Sequence, residues 1–491
     1  MLLLGIDIGT SSVKVAIIHA ETQRLVAAAQ YPEEESPIIS VQTGWAEQSP
    51  EMWWEHMLLA FDKCKAQATF QPRDIASIGI AYQMHGLVLV DKEQQLVRHS
   101  IIWCDSRAVE TGKRALEALG QDYCLSHLLN SPGNFTASKL AWVKENEPEV
   151  YTRTDKFMLP GDFIAMKLTS QITTTVSALS EGVFWDFKTN SISAPLMDYY
   201  GFSPELIPEI RPVFAEHGRV TAAVAQLTGL SEGTPVTYKA GDQPNNALSL
   251  NVLEPGEIAA TAGTSGVIYG LSDQLVSDPQ SRINTFAHVN DTEAQKRLGI
   301  LLCINGTGSM NRWVRHNLAP GETYEQLNAS AAKVAIGAAG LRVLPFGNGA
   351  ERMLNNRIIG AQMGHIDLNI HQKEHIFRAV QEGIAYAFRY GLDIMRSNGL
   401  APKVIRAGQA NLFLSNLFLE AFVNSTGIPV ELYENDGSTG AALGSGIGAK
   451  TYSSSTEAFQ QLKPLQFIAP SLTDEYEPNY QDWLKLLKEQ Q

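Results

Sequence analysis

The chain has 491 residues, 44% of them hydrophobic and 18% charged, with a formal net charge of -14. That length exceeds what a single ordinary core serves, so two large domains are expected, and the balance of residues is that of a folded enzyme rather than a disordered segment. An acidic chain repels the phosphates of nucleic acids and anionic membranes, which argues against general binding to either.

The four cysteines, Cys64, Cys104, Cys124 and Cys303, show no paired spacing and no adjacent histidine. Neither a disulfide framework nor a zinc site is expected, and a reducing cytoplasm is the natural location. Met1-Leu2-Leu3-Leu4 runs at once into Gly5 and Asp7, without the basic flank or long apolar region of a signal peptide. No stretch is long and apolar enough to span a bilayer.

In chain order, Leu2 to Ile8 reads as a buried strand, Gly9-Thr10-Ser11-Ser12 as a turn and Val13 to Ile18 as a second strand, which predicts an antiparallel hairpin. Leu25 to Tyr31 is a third strand. Ser49-Pro50-Glu51 predicts a helix start with a hydroxyl cap and proline in the first position, and Trp53, Trp54, Met57, Leu58 and Phe61 supply its apolar face. Ile75 to Ala81, Leu87 to Val90 and Ile101 to Trp103 read as strands, followed by helical patterns to about Lys144. The stretch from Tyr151 to Pro235 mixes helix, Ser/Thr-rich strand and loop, and is read only as part of the first domain.

After Asp242 the pattern starts again. Glu257 to Ala262 and Val267 to Tyr269 flank the turn Gly263-Thr264-Ser265-Gly266. Leu298 to Ile304 is a strand, with a helix around Trp313 beyond it. Leu341 to Leu344 leads into a glycine-rich loop, and a long helix is expected from about Gln372 to Arg396. Lys403 to Arg406 and Val430 to Tyr433 are strands, and Gly437 opens a small-residue helix. A strand, a Gly-Thr-Ser turn and a strand thus begin both halves, an internal repeat in the order of elements. Two related α/β domains follow, residues 1–245 and 246–491, with a cleft between them.

Several residues in this pattern carry chemistry. Gly9 lets the backbone approach a ligand closely, the amides and hydroxyls of Thr10, Ser11 and Ser12 suit phosphate oxygens, and the Asp7 carboxylate suits a magnesium ion held through water. Alone, such a turn is equally an ordinary hairpin tip; the second copy at Gly263 and Thr264 favours two turns gripping a polyphosphate from both sides. Gly408-Gln409-Ala410-Asn411 and Gly308 are strand-to-helix connections, ordinary in themselves but suited to a nucleotide. Asp242, in Gly241-Asp242-Gln243-Pro244-Asn245-Asn246, stands between a strand end and a helix start. It is the candidate base for a hydroxyl, a role compatible with capping that helix. Gln83 and Gly86 predict an exposed turn around Met84-His85, suited to substrate contact. Asp105 and Arg107 read as a turn-stabilising ion pair rather than a catalytic one. Trp45-Ala46-Glu47 either lines the cleft or only leads into Ser49.

With those residues in view, the chain resembles the FGGY carbohydrate kinases, whose fold is two actin-like (ribonuclease-H-like) domains with the active site in the cleft between them. Gly5-Ile6-Asp7-Ile8-Gly9-Thr10-Ser11-Ser12 and Gly263-Thr264-Ser265-Gly266 are similar to the family's two phosphate motifs. Phe135-Thr136-Ala137-Ser138-Lys139-Leu140-Ala141-Trp142 is similar to its first-domain signature. Gln83-Met84-His85-Gly86 resembles the sugar contact of the members that phosphorylate xylulose. The resemblance implies ATP and Mg2+ as cofactors and a small sugar as substrate, and it admits a homodimer. It implies Asp242 as proton acceptor, Asp7 serving metal and phosphate, Met84, His85 and Gln243 at the sugar, and Thr10, Ser11, Ser12, Gly263, Thr264, Gly308, Gly408 and Asn411 at the nucleotide. Gln243 replaces the Asn of the xylulose-specific members and favours a sister kinase for glycerol, ribulose or gluconate as the alternative. A non-catalytic sugar and nucleotide sensor is the alternative from another class; the presence of both Asp7 and Asp242 argues against it.

Overall fold

The computed structural model describes residues 1–490 and is built on two large mixed sheets. The first contains β1 (Leu2–Ile8), β2 (Val13–His19), β3 (Leu25–Tyr31), β4 (Ile75–Tyr82) and β5 (Val236–Gly241), in the spatial order β5-β4-β1-β2-β3. The hairpin expected from the Gly9 turn is present, with β1, β2 and β3 antiparallel in succession and β4 and β5 parallel to β1. The second contains β6 (Glu257–Ala262), β7 (Gly266–Ser272), β8 (Asn284–Ala287), β9 (Leu298–Ile304), β10 (Val404–Gly408), β11 (Val430–Tyr433) and β12 (Gln466–Ile468). Its order is β8-β9-β7-β6-β10-β11-β12. The run β3-β2-β1-β4-β5 is therefore matched, strand for strand and direction for direction, by β9-β7-β6-β10-β11. This is the duplication that the repeat predicts, in the ribonuclease-H-like form that the resemblance implies.

The helices that shape the site are α1 (Pro50–Gln67), α2 (Thr136–Asn146), α3 (Val176–Glu181), α4 (Asp242–Ser249), α5 (Gly308–Leu318), α6 (Lys373–Ser397) and α7 (Gly437–Gly448). α1 buries Trp53, Trp54, Met57 and Phe61 as its periodicity requires. Its expected hydroxyl cap is absent: Ser49 makes no side-chain cap bond, because its own backbone carbonyl already takes the Met52 N–H at 3.1 Å. The expected strands at 87–90 and 101–103 shorten to Val88–Val90 and Ser100–Ile101. The long helix α6 buries Phe388 against Phe422 of the next helix, with ring centroids 5.2 Å apart. Among the described residues no helix is long and apolar enough to cross a membrane.

α7, although late in the sequence, lies on the first sheet. A Cβ on Gly5 of β1 or Gly79 of β4 would overlap the backbone of Ser438 or Ala441. The run Gly437-Ser438-Thr439-Gly440-Ala441-Ala442 is small because helix and sheet backbones meet there with almost nothing between them. The same contact brings Gly437, the first residue of α7, directly against the Asp7 carboxylate.

Candidate active site

The register of the first sheet sets the site. Asp7 of β1 lies opposite Ala81 of β4, and Ala81 lies opposite Ala240 of β5. Two strand spacings, about 10 Å, separate the β1 and β5 backbones, and Asp242 follows as the first residue of α4, with Gly241 as N-cap. Asp7 and Asp242 therefore emerge at the same edge, both partly exposed. Burial, and after it the nearby Asp7, push the Asp242 carboxyl up to about 7, against the stabilising Gln243 backbone N–H and side chain. Asp7 is raised to about 6 by burial, with Lys14 opposing and Asp436 reinforcing. Gln243 keeps a buried side-chain oxygen without a partner beside this pair. One turn further along α4, Asn245 donates to the Gly437 carbonyl at 2.8 Å, and Asn435 donates to the Asn246 side chain at 2.9 Å, which ties the Asp242 helix to the second half of the chain.

The Met84-His85 segment is not the exposed turn expected of it. Met84 is buried and packs against Gly241, and the His85 ring sits between Phe135 and Phe286, at centroid distances of 4.9 and 5.4 Å. Apolar contact with α2 and with β8 of the second sheet outweighs the polar neighbours Gln83 and Gly86. His85 is held at a left-handed φ of 62°. Its Nδ1 meets the Glu181 carbonyl at 3.1 Å, which makes Nδ1 the protonated nitrogen and leaves Nε2 as an acceptor. Burial, with Lys139 and Arg352 nearby, lowers the ring to about 3, so it stays neutral. Lys139 of the first-domain signature is wholly buried and donates to the backbone carbonyls of His85 at 2.8 Å and Ile102 at 3.0 Å, stapling two loops of the cleft together. Arg352 approaches the same place from the second half, bonded to Asn284 and 6.0 Å over the Phe135 ring.

Asp105 and Arg107 form the structural pair expected, buried and bidentate, with Trp45 stacked 3.9 Å from the guanidinium. Glu47 joins Arg107 and Arg98, so the Trp45-Ala46-Glu47 segment braces this corner.

On the phosphate side, the Gly9 N–H closes its turn on the Ser12 carbonyl at 3.0 Å. The Thr10 hydroxyl is engaged within the fold, donating to Gln83 at 3.2 Å and accepting from Trp103 at 2.9 Å, while Ser11 is exposed. In the second half, Gly263, Thr264, Gly308 and Asn411 line one cavity of about 390 Å³, together with Asn311, Arg312 and Gln381. The amides of Gly308 and Ser309 latch the turn by donating to the Gly263 and Thr264 carbonyls at 2.9 and 3.1 Å. Gly408 ends β10 behind Asn411 and is not part of that lining. A larger cavity of about 990 Å³ opens on the other side of α5, around Trp313 and His316, and takes in none of the expected site residues.

This geometry is two matched domains, a carboxylate at the ends of two strands that flank a third, and a latched turn opposite. The sequence model of the FGGY family of carbohydrate kinases, N-terminal domain, matches residues 2–249, and that of its C-terminal domain matches residues 258–449. The chain belongs to the FGGY family of carbohydrate kinases. This FGGY kinase is 28% identical to the xylulose kinase of Bacillus subtilis over 477 residues, covering 93% of this chain and 90% of that protein. It is 27% identical to the xylulose kinase of Escherichia coli K12, covering 94% and 92%. The crystal structure of xylulose kinase from Rhodospirillum rubrum superposes with a TM-score of 0.88 at 26% identity, covering 100% of this chain and 99% of that one.

The residue that sequence reasoning missed in this FGGY kinase is Glu181, at the end of α3. It is 1% exposed and stands against Gly241 and His85. Its signal was present: it is the one charged side chain between Lys167 and Asp186.

Proposed function

We propose that this protein transfers the γ-phosphoryl group of ATP to the terminal hydroxyl of D-xylulose, giving xylulose 5-phosphate. The observation that carries the reading is Asp242, a partly buried carboxyl with a pKa near 7 at the mouth of a strand, beside Asp7 and next to the Met84-His85 wall. A carboxylate so placed takes the hydroxyl proton as the oxygen attacks. Phosphoryl transfer has a loose transition state, so positioning and charge compensation are the enzyme's main work. His85, neutral and with Nε2 free, accepts from a sugar hydroxyl; Met84 and Phe135 give the carbon chain an apolar wall. On this reading residues 1–245 bring the sugar side and residues 246–491 the nucleotide side. The turn at Gly263 and Thr264, with Gly308 and Asn411, holds the nucleotide, and the Thr10-Ser11-Ser12 turn meets the phosphates from the first domain.

The donor set fits a magnesium ion. Asp7 and Asp242 are hard oxygen donors whose raised pKa values mark a site short of positive charge. Among the described residues no three His, Cys, Asp or Glu side chains gather to hold a metal alone, which suits an ion shared with water and substrate phosphates. When bound, Mg2+ supplies charge neutralisation at the β- and γ-phosphates. A supply of ATP and reduced, unpaired cysteines both suit a cytoplasmic enzyme.

A second reading, a sister kinase for another ketose or polyol such as ribulose, glycerol or gluconate, is favoured by Gln243, whose side-chain oxygen is unpartnered beside Asp242. Purified enzyme with Mg2+ and ATP, assayed for ADP release against a panel of these acceptors, decides. Turnover strongest on D-xylulose supports the first reading; a higher kcat/KM on another acceptor replaces it.

A further inference from the structure

Beside the Met84-His85 wall, against Gly241, lies a second buried carboxyl that the reaction described so far does not use. Glu181 closes α3, which is fixed to the edge strand β8 of the second sheet: Ser177 Oγ donates to the Ala287 carbonyl at 2.8 Å, and the Ala287 N–H donates to Ser180 Oγ at 2.9 Å. From that anchored end the side chain reaches toward the peptide that carries Asp242. A Cβ on Gly241 would stand 2.7 Å from Glu181 Oε2 and 2.6 Å from Met84 Cγ. Among the described residues the carboxyl accepts one hydrogen bond, a long one of 3.5 Å from the His85 N–H to Oε1, and Oε2 meets no donor. The Tyr82 hydroxyl, whose nearest charged neighbours include Glu181, Asp162 and Asp242, is buried and unpartnered as well.

A buried carboxyl with an unused oxygen is costly unless a ligand completes it. Its surroundings name the ligand. It is flanked by Met84, His85 and Gly241, which are the sugar wall and the residue before the base. Lys139 lies nearby, but its bonds go to the His85 and Ile102 carbonyls. We propose that Glu181 is a substrate-positioning residue, its Oε2 bonding a hydroxyl of the acceptor sugar next to the one that Asp242 deprotonates. This rests on the sugar-kinase reading above and adds a contact to it. Burial first, and then the neighbouring Asp242, hold the Glu181 carboxyl well above the usual carboxylate range. In that neutral form it both donates and accepts, which matches the dual capacity of a sugar hydroxyl and adds no negative charge beside Asp242.

The test uses the full-length enzyme with Mg2+ and ATP, D-xylulose, and ketopentoses that are each deoxygenated or inverted at one carbon. Glu181→Ala should raise the acceptor KM about 10- to 100-fold while leaving the KM for ATP within about twofold. That loss should disappear for the one analogue lacking the contacted hydroxyl, as a shared interaction requires. Glu181→Gln, always neutral and of the same shape, should stay within about threefold of the wild type. An equal loss on every analogue, or an unchanged acceptor KM, would overturn the contact and leave Glu181 a packing residue. Should the alanine variant not fold, Glu181→Asp, with the carboxyl withdrawn by one methylene, gives the same comparison. A wild type that prefers another acceptor removes D-xylulose but keeps Glu181 under test on that sugar. A wild type that takes no acceptor overturns both.

Discussion

Asp7 and Asp242 stand two strands apart at one edge of the first sheet, where Ala81 links Asp7 to Ala240, two residues before Asp242, and Asp7 raises the cost of ionising Asp242. Asp242→Asn keeps the shape and removes the proton acceptor. Sugar phosphorylation should fall by about a thousandfold, within the range of a lost general base, with nucleotide binding retained; a coupled ADP assay and nucleotide titration measure the two.

The same relationship fixes a pH dependence. In the free enzyme Asp242 holds its proton up to about pH 7, so kcat/KM for the sugar should fall as the pH is lowered through that value. A pH-rate profile that is flat from 6 to 8 would remove Asp242 as the titrating base.

Stability should move the other way. Unfolded, Asp242 releases its proton near the ordinary aspartate value of 3.8, and folded at about 7, so between these values the folded state binds more protons. Its contribution to stability therefore falls as the pH rises from about 4 to 7, and stays low above that. Asp242→Asn should raise the unfolding free energy by up to about 4 kcal/mol at pH 8 and by almost nothing at pH 4. Urea denaturation at the two pH values reads the difference.

Lys139 holds the His85 and Ile102 carbonyls from inside the first domain. Lys139→Met leaves both acceptors bare, at about 2 kcal/mol of stability, and frees the His85 loop. The expected signature is a lower melting temperature and a loss of about tenfold or more in kcat/KM for the sugar, with the KM for ATP nearly unchanged. An equal effect on both substrates would mean that the staple supports the whole cleft rather than its sugar side.

Gly308 bears on the opposite wall. Its N–H holds the Gly263 carbonyl at 2.9 Å, and a Cβ there would overlap that same carbonyl. Gly308→Ala should displace the Gly263-Thr264 turn and raise the KM for ATP about tenfold or more, leaving the acceptor KM close to the wild type. Initial-rate kinetics with each substrate varied in turn check it.

Much of this was legible without coordinates, because it is local. The Gly9 and Gly263 turns, each between two apolar runs, determined the repeated hairpins, and the spacing after β5 and the proline at 244 determined that Asp242 would open a helix. Short-range sterics and hydrophobic periodicity decide such features, and they act along the chain. Met84 and His85 were legible for the same reason only as residues following a strand end.

What surrounds them was decided only in three dimensions. Met84-His85 is walled in by Phe135 at the N-cap of α2 and Phe286 from β8, some 50 and 200 residues away in sequence, so the exposed turn that its neighbours suggest becomes a buried wall. Ser49 lost its cap to its own carbonyl. α7 crossed to the first sheet because glycines at 5 and 79 let the backbones touch, and that contact set Gly437 against Asp7. Glu181 drew no notice in a Ser/Thr-rich stretch; it gained chemistry when folding set it beneath Gly241, where the low dielectric of the interior and a second carboxyl decide its charge.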